Sequence, residues 1–383
     1  MNSFSFFNPT KIIYEEGIIN NIGQYVSEYS KNILLVVSNS TYNNGIFHYV
    51  INSLSKSNIN YDVLDNIKSN PELDKVYEGI EICLKKNCTF LLGVGGGSVI
   101  DTVKAISAGA TNDNDIWDII CNPSLVKDVI KFGVITTIWG SGSDMTCGAV
   151  LTNRELTKKR GFDNKHLFPQ FALLDPNIVQ TVPDKYICAG IIDIMSHVLE
   201  RYIEDDLSIC LSDKLCLELM KDVYYNANKY LRCNRNALSE LMWDSVLAQN
   251  GFLMAGRKSN GEWVTHIIAH EFCARYNAIH GEVVGIIFLA WFRYIFNERI
   301  SFQKRIINFS KEILNFSSEN IEDIIVNIER IYKKMGLSTR LSSLGVEKNI
   351  LQECALSSLR GKKLGKYKKL TYDDVLYILR LCY

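Results

Sequence analysis

The chain has 383 residues, 42 Lys+Arg against 42 Asp+Glu, 47% hydrophobic and 11% aromatic residues, an ordinary globular composition that excludes extended disorder. At roughly 100–200 residues per domain, the length predicts about two to three domains with ample interior for a buried site. Zero net charge without a basic stripe gives no general attraction to nucleic acid or anionic lipid, so neither is expected as a partner.

The N-terminal stretch from Met1 to Pro9 lacks the charged and apolar regions of a signal peptide, and no run reaches about 18 apolar residues. A cytoplasmic protein is expected. The eleven cysteines are odd in number and include no C-x-x-C pair. They predict neither a disulfide framework nor a thiolate zinc site.

The first predicted strand is Asn32–Val37, a continuous run of Leu and β-branched residues. Others are expected at 61–64, 89–94, 131–136 and 171–174, with a helix over 71–85 among the stretches between them. This alternation predicts a parallel, doubly wound α/β sheet. Beyond about Asp184 the strand signals fade and helical spacing takes over, as at 191–204, 207–230, 237–255 and 321–334. None of the six prolines lies beyond Pro183, which suits an all-helical second half. The expected domains are 1–182, α/β and dinucleotide-binding, and 183–383, helical and carrying the metal and substrate sites.

Between the predicted strand at 89–94 and the next helix stands Gly93-Val94-Gly95-Gly96-Gly97-Ser98. Glycines let backbone N–H groups approach phosphate oxygens, and a helix N-terminus adds a positive dipole end. The run is not the G-x-G-x-x-G fingerprint. The competing reading is a tight strand-to-helix connection with Ser98 as N-cap. Asp101 is read in the helix's first turn, where a carboxylate complements the dipole. A second small, polar loop runs from Thr136 to Asp144; it reads either as part of a cofactor cradle or as an ordinary turn.

Of six histidines, four fall in the helical half. Asp193 and His197 stand at i and i+4 on one helix face, as do His266 and His270, with His280 a short connection later. An i, i+4 Asp–His pair is often only a surface ion pair. Asp193, however, lies among Ile191, Ile192, Ile194 and Met195, and a carboxylate in so apolar a segment needs a partner. Imidazoles with a carboxylate suit Fe²⁺ or Zn²⁺ better than Ca²⁺ or Mg²⁺. Position 267 is Ile, so the glutamate base of the H-E-x-x-H metalloprotease motif is missing. His48 and His166 show no partner spacing.

Together these segments resemble the iron-containing, or group III, alcohol dehydrogenase family. Asn70-Pro71, Gly95-Gly96-Gly97-Ser98-x-x-Asp101-x-x-Lys104, Thr136-Thr137 through Asp144, Asp175-Pro176, the Asp193/His197 helix and His266-x-x-x-His270…His280-Gly281 occur in the family's order. Ala189-Gly190 and Gly261-Glu262-Trp263 are similar to the butanol-dehydrogenase-like branch. The resemblance implies a Rossmann-like N-terminal domain and an all-α C-terminal domain, the fold shared with dehydroquinate synthase, with an active site between them. It implies that Asp193, His197, His266 and His280 bind Fe²⁺ or Zn²⁺, and that His270 stands beside nicotinamide and substrate. It further implies that Asn70, Gly96, Gly97, Ser98, Asp101, Thr137, Ser141 and Lys159 lie along the cofactor. The implied activity is an NAD(P)H-dependent alcohol dehydrogenase or aldehyde reductase for a short-chain substrate, and family analogy implies a homodimer.

Three positions depart from the family pattern. Asp144 replaces a glutamate, and Thr89 replaces an aspartate. Ser38 stands where NAD-preferring members carry an aspartate against the adenosine ribose; its loss removes a repulsion toward a 2′-phosphate and points to NADP(H) over NAD(H). The Lys-rich run 360–369 is read as a solvated loop, with selection of a carboxy- or phosphonoaldehyde as its functional alternative. The rival functions are a glycerol-dehydrogenase- or dehydroquinate-synthase-like enzyme of the same fold, and a non-catalytic binding relative.

Overall fold

The computed structural model describes residues 2–205 and 211–383. The chain divides into two compact units, Phe7–Val182 and Pro183–Tyr383, the second including the N-terminal residues up to Phe6.

The first unit carries strands β1 (Lys11–Tyr14), β2 (Asn32–Val37), β3 (Asn60–Leu64), β4 (Phe90–Gly95), β5 (Phe132–Thr136), β6 (Gly148–Asn153), β7 (Lys158–Asp163) and β8 (Phe171–Leu174). Its helices are α1 (Ile22–Ser27), α2 (Ser40–Asn43), α3 (Ile46–Lys56), α4 (Leu73–Lys86), α5 (Gly97–Gly109) and α6 (Ile116–Cys121). Six strands form one sheet in the order β1-β8-β5-β4-β2-β3, and every pairing is parallel. Period-two alternation sends Leu34, Val36, Leu91 and Val134 to the face covered by α4 and α5, and Ile33, Leu35, Leu92 and Ile135 to the opposite face. Strand order reverses between β2 and β4, and in such sheets ligands bind outside the carboxyl ends of the strands at that switch point. β6 and β7 form a separate antiparallel hairpin.

The second unit is helical among its described residues: α7 (Asp184–Tyr202), α8 (Leu211–Leu231), α9 (Ala237–Gln249), α10 (Val264–Tyr276), α11 (His280–Ile295), α12 (Ile300–Glu312), α13 (Ile321–Lys334), α14 (Leu351–Leu359) and α15 (Tyr372–Cys382). Among the described residues no helix is long and apolar enough to cross a membrane.

Several expectations change in detail. The strands β1, β6 and β7 carry no sequence expectation: β1 is only four residues long, and β7 is KKRGFD with half its length exposed. The helix expected over 191–204 begins seven residues earlier, at Asp184. The one expected over 207–230 is present from Leu211, while 207–210 lie outside the described residues. The expected helix 237–255 ends at Gln249, because Gly251 takes φ +90°, a left-handed conformation that breaks the ladder.

Candidate metal centre and cofactor cradle

Helix α7 is buried along most of its length, and Asp193, His197 and Glu200 project from one side at spacings of four and three. The Asp193 Oδ1 is buried with no hydrogen-bond partner. Three imidazole Nε2 atoms surround it, those of His197 at 3.8 Å, His266 at 3.7 Å and His280 at 3.8 Å. These separations are too long for hydrogen bonds. They are close to the roughly 3.4 Å between ligand atoms that bonds of about 2.0–2.2 Å to one tetrahedral ion would give. The donor atoms of Asp193, His266 and His280 all lie within 4.8 Å of one another, and His197 stacks on His266 at 4.8 Å between ring centroids. An orphaned buried carboxylate oxygen facing three imidazoles fits a divalent metal of the iron or zinc type.

The electrostatics follow from burial and proximity. Burial alone would raise the Asp193 pKa, but His197, His280 and His266 together hold the carboxyl well below the usual range. Burial pushes His197 well below the ordinary imidazole value. It also pulls down on His266, but the carboxylates of Glu200 and Asp193 win there and lift that ring to about 9.

Outer partners aim these rings. The Nδ1 of His266 faces the Glu200 carboxylate at 3.3 Å, and Glu200 is itself held by the Thr265 backbone N–H at 3.0 Å and by the Thr265 hydroxyl. This is the carboxylate–histidine arrangement that orients metal-binding imidazoles. The His280 Nδ1 lies 3.6 Å from the buried Cys273 thiol. Trp263 sets its ring 5.1 Å from His266 and 5.9 Å from His197, with the Arg201 guanidinium 4.8 Å above it. His280 opens α11, and Gly281 follows it directly against the α7 backbone. His270 lies one turn beyond His266 on α10, its ring stacked on His280 at 5.4 Å. The sequence reading missed Glu200, Cys273 and the place of Trp263. Only Glu200 left a usable signal, seven residues after Asp193 on the same face.

In the first unit, Gly96 caps α5 and no side chain satisfies the helix's first turn. Ser98 is therefore not the N-cap; its hydroxyl donates to the Ser69 carbonyl at 2.9 Å, tying α5 to the loop before Asn70. Each glycine of the run is pressed by a neighbour. A Cβ would come within 2.3 Å of Val99 at Gly95, 2.4 Å of Ile138 at Gly96 and 2.4 Å of the Ser141 hydroxyl at Gly97. Asp101 lies beyond the first turn of α5, contrary to its expected dipole role. Its carboxylate accepts from the Ser143 hydroxyl at 2.6 Å and the Val150 N–H at 2.9 Å. Lys104 is fully buried and donates to the Ser143 and Gly148 carbonyls, burial lowering its pKa to about 8.

Thr137 is buried and donates its N–H to the Gly95 carbonyl at 3.0 Å. Asp144 accepts from the buried Thr136 hydroxyl at 2.8 Å. Lys159, on β7, donates to the Asn70 side chain at 2.8 Å, so the hairpin reaches the loop before α4. Ser38 follows β2, its hydroxyl 2.9 Å from that of Ser40. Ser38, Gly96 and Thr137 thus follow the carboxyl ends of three adjacent strands. His48 and His166 are exposed.

The Lys-rich run is anchored by Glu262, which accepts the N–H groups of Lys366 and Tyr367 at 3.0 and 2.8 Å. Lys368 pairs with Glu298 at 2.7 Å and Lys369 donates to the Gly365 carbonyl, whereas Lys362 and Lys363 are exposed.

A sheet with a glycine cradle at its switch point and a helical unit with an Asp-His₃ cluster are the two halves of one family. Residues 9–176 match the iron-containing alcohol dehydrogenase family and residues 187–383 match the Fe-containing alcohol dehydrogenase family, C-terminal; the chain belongs to this family. Among its relatives is the probable NADH-dependent butanol dehydrogenase 1 of Bacillus subtilis, 32% identical over 99% of both chains. The NADPH-dependent aldehyde reductase YqhD of Escherichia coli is 26% identical over 91% of this chain and 90% of its own. The crystal structure of the NADH-dependent butanol dehydrogenase A of Thermotoga maritima superposes with a TM-score of 0.92 at 30% identity, covering 100% of this chain and 99% of that one.

Proposed function

We propose that this chain is a metal-dependent NAD(P)H alcohol dehydrogenase that interconverts a short-chain aldehyde and its alcohol. The observation that carries the reading is the unpartnered Asp193 Oδ1 facing three imidazole nitrogens at 3.7–3.8 Å. Similarity over nearly the full length to butanol dehydrogenases and to an aldehyde reductase supports it.

In this reading residues 183–383 hold the metal through Asp193, His197, His266 and His280, and residues 1–182 hold the nicotinamide cofactor. When bound, Fe²⁺ or Zn²⁺ supplies Lewis acidity toward the substrate oxygen and the nicotinamide supplies or accepts the hydride. The residues of the chain hold and orient. Glu200 fixes the tautomer and direction of His266. The uncapped first turn of α5, entered through Gly96, Gly97 and Ser98, receives the cofactor phosphates. Thr137 and Ser141 close one side of that cradle, and Lys159 with Asn70 the other. Asp101 acts from behind, bracing Ser143. His270 holds a proton near the reacting oxygen and passes it to or from the alkoxide.

Ser38 presents a hydroxyl rather than a carboxylate at the adenosine end, and we read the preference as NADP(H) over NAD(H). A cytoplasmic homodimer completes the reading. The ten free cysteines among the described residues suit a reducing compartment.

The test is oxidation of NADPH and NADH, with a panel of neutral and anionic aldehydes, by protein loaded anaerobically with Fe²⁺ or Zn²⁺ and by chelated protein. Turnover that depends on the metal and is faster with NADPH is expected. Absence of turnover in protein shown to bind both metal and nucleotide would overturn the assignment and favour a lyase or a binding-only relative.

A further inference from the structure

Trp263 breaks two local rules at once. It is the N-cap of α10, a position where Ser, Thr, Asn or Asp would accept from the unpaired N–H groups of the first turn. An indole carries a donor and no acceptor, and this one donates to the Asn260 carbonyl at 2.8 Å. Its backbone also takes φ +62°, in the left-handed region where a bulky residue sets its Cβ too close to the following carbonyl oxygen. Such strain persists where the surroundings over-determine it, and it concentrates at functional sites.

The surroundings here are those of the metal centre. The N–H of Glu262, one residue before, donates to the Glu200 carbonyl at 3.0 Å and ties the strained turn to α7. The indole then lies edge-on to His266, at 5.1 Å and 68°, and 5.9 Å from His197. Arg201 stands over the ring at 4.8 Å as a cation–π partner. Its guanidinium is fixed in turn by the His197 carbonyl and the Gln249 side chain, both at 2.6 Å.

The four proposed ligands are unequally covered. The side chains of His197, His266 and Asp193 are 5, 7 and 8% exposed, whereas that of His280 is 29% exposed. Trp263 packs on the two most covered imidazoles, while the rings beside His280 are those of His266 and His270. Trp263 is itself half-buried, so its ring is a layer between solvent and the His197–His266 side.

The proposal rests on the metal assignment of Asp193, His197, His266 and His280. We propose that Trp263 closes the centre on its His197–His266 side, so that metal and incoming ligands reach it past His280. An oxygen admitted by that route arrives beside His270. Trp263 is then a positioning residue, which touches no reacting atom and decides from where the metal is approached.

A barrier and a brace differ in kinetics. Removing a barrier speeds metal uptake and release by the same factor and leaves affinity in place, whereas removing a brace of His266 changes release and affinity together. Trp263→Asn is the informative variant, because Asn tolerates the left-handed backbone and can cap α10. Stopped-flow uptake of Zn²⁺ by the full-length protein, release into an excess of a chromogenic chelator, and equilibrium competition give the three quantities. Trp263→Asn should speed uptake and release alike, by about tenfold, with affinity held within about threefold, a pattern unlike the usual change confined to the off-rate. Trp263→Phe, which keeps a ring over His266, should stay near the parent. Trp263→Leu provides the same comparison if Trp263→Asn does not fold. Unchanged rates in the ring-less variant would overturn the proposal, as would faster release with affinity lowered in proportion and uptake unaltered. A parent protein that takes up no Zn²⁺ would overturn the metal assignment itself, and the proposal with it.

Discussion

Gly281 of α11 lies so close to Ala189 of α7 that a methyl group on it would meet the Ala189 carbonyl oxygen at 2.0 Å and the Asp193 Cβ at 3.2 Å. The neighbour is backbone within a buried helix, so it cannot move aside as a side-chain tip would. This approach is what sets His280 beside Asp193.

Gly281→Ala should therefore separate the start of α11 from α7. The overpacking should cost about 1–3 kcal/mol of stability and carry His280 away from the cluster. Metal content after dialysis and thermal melting check this together. A variant with full metal occupancy would show that the close contact does not govern the site.

Removing Glu200 should weaken the metal without removing a proposed ligand. Glu200→Ala leaves the His266 Nδ1 without its carboxylate, and losses of about 10- to 100-fold in metal affinity are typical when such outer partners go. Competition with a chelator measures the change. Glu200→Gln, which keeps the size and can still accept from Thr265, should lose less.

His270 and the proposed ligands should separate by phenotype. Asp193→Ala or His266→Ala should lose metal and activity together. His270→Ala should keep the metal, while turnover falls by about 10²–10⁴, the usual contribution of a proton-transfer group. Retention of full metal by both ligand variants would show the centre to be elsewhere.

A fourth expectation concerns pH and lies far from the chemistry. Asp244 on α9 is buried and feels the carboxylate of Asp222 on α8; burial first, then the Asp222 charge, raise its pKa to about 8. In the unfolded chain an aspartate titrates near 3.9. Between these values the folded state binds the extra proton, so stability from this group is complete below about pH 4 and is lost as pH rises through about 8. Asp244→Asn should flatten that decline and raise the melting temperature at pH 8, at roughly 2–4 °C per kcal/mol. Melts of both proteins between pH 5 and pH 9 provide the comparison.

The parallel sheet was legible because its central strands are uninterrupted apolar runs, and β2 and β8 fall on the residues the pattern indicates. The edge strand β1 and the β6–β7 hairpin were not, because short or half-exposed strands lack that contrast. The i, i+4 spacing of Asp193 and His197 pointed to a shared helix face. What converges on that face from α10 and α11 is a long-range matter: Gly281 reads as an ordinary helix residue until Ala189 is opposite it. Asp101 shows the reverse error, since its acidity near a helix start suggested a dipole partner while tertiary contacts with Ser143 and Val150 claim both its oxygens.

The three pressed glycines of the α5 loop have a thermodynamic consequence. With Val99, Ile138 and Ser141 closing on Gly95, Gly96 and Gly97, the turn is locked by its own neighbours, and the glycines' conformational freedom is already surrendered during folding. A cofactor phosphate bound there, as proposed, would meet a turn with little room to rearrange, and little loop ordering would oppose its affinity. The melting curve of the chain, rather than its nucleotide titration, is where that entropy is found.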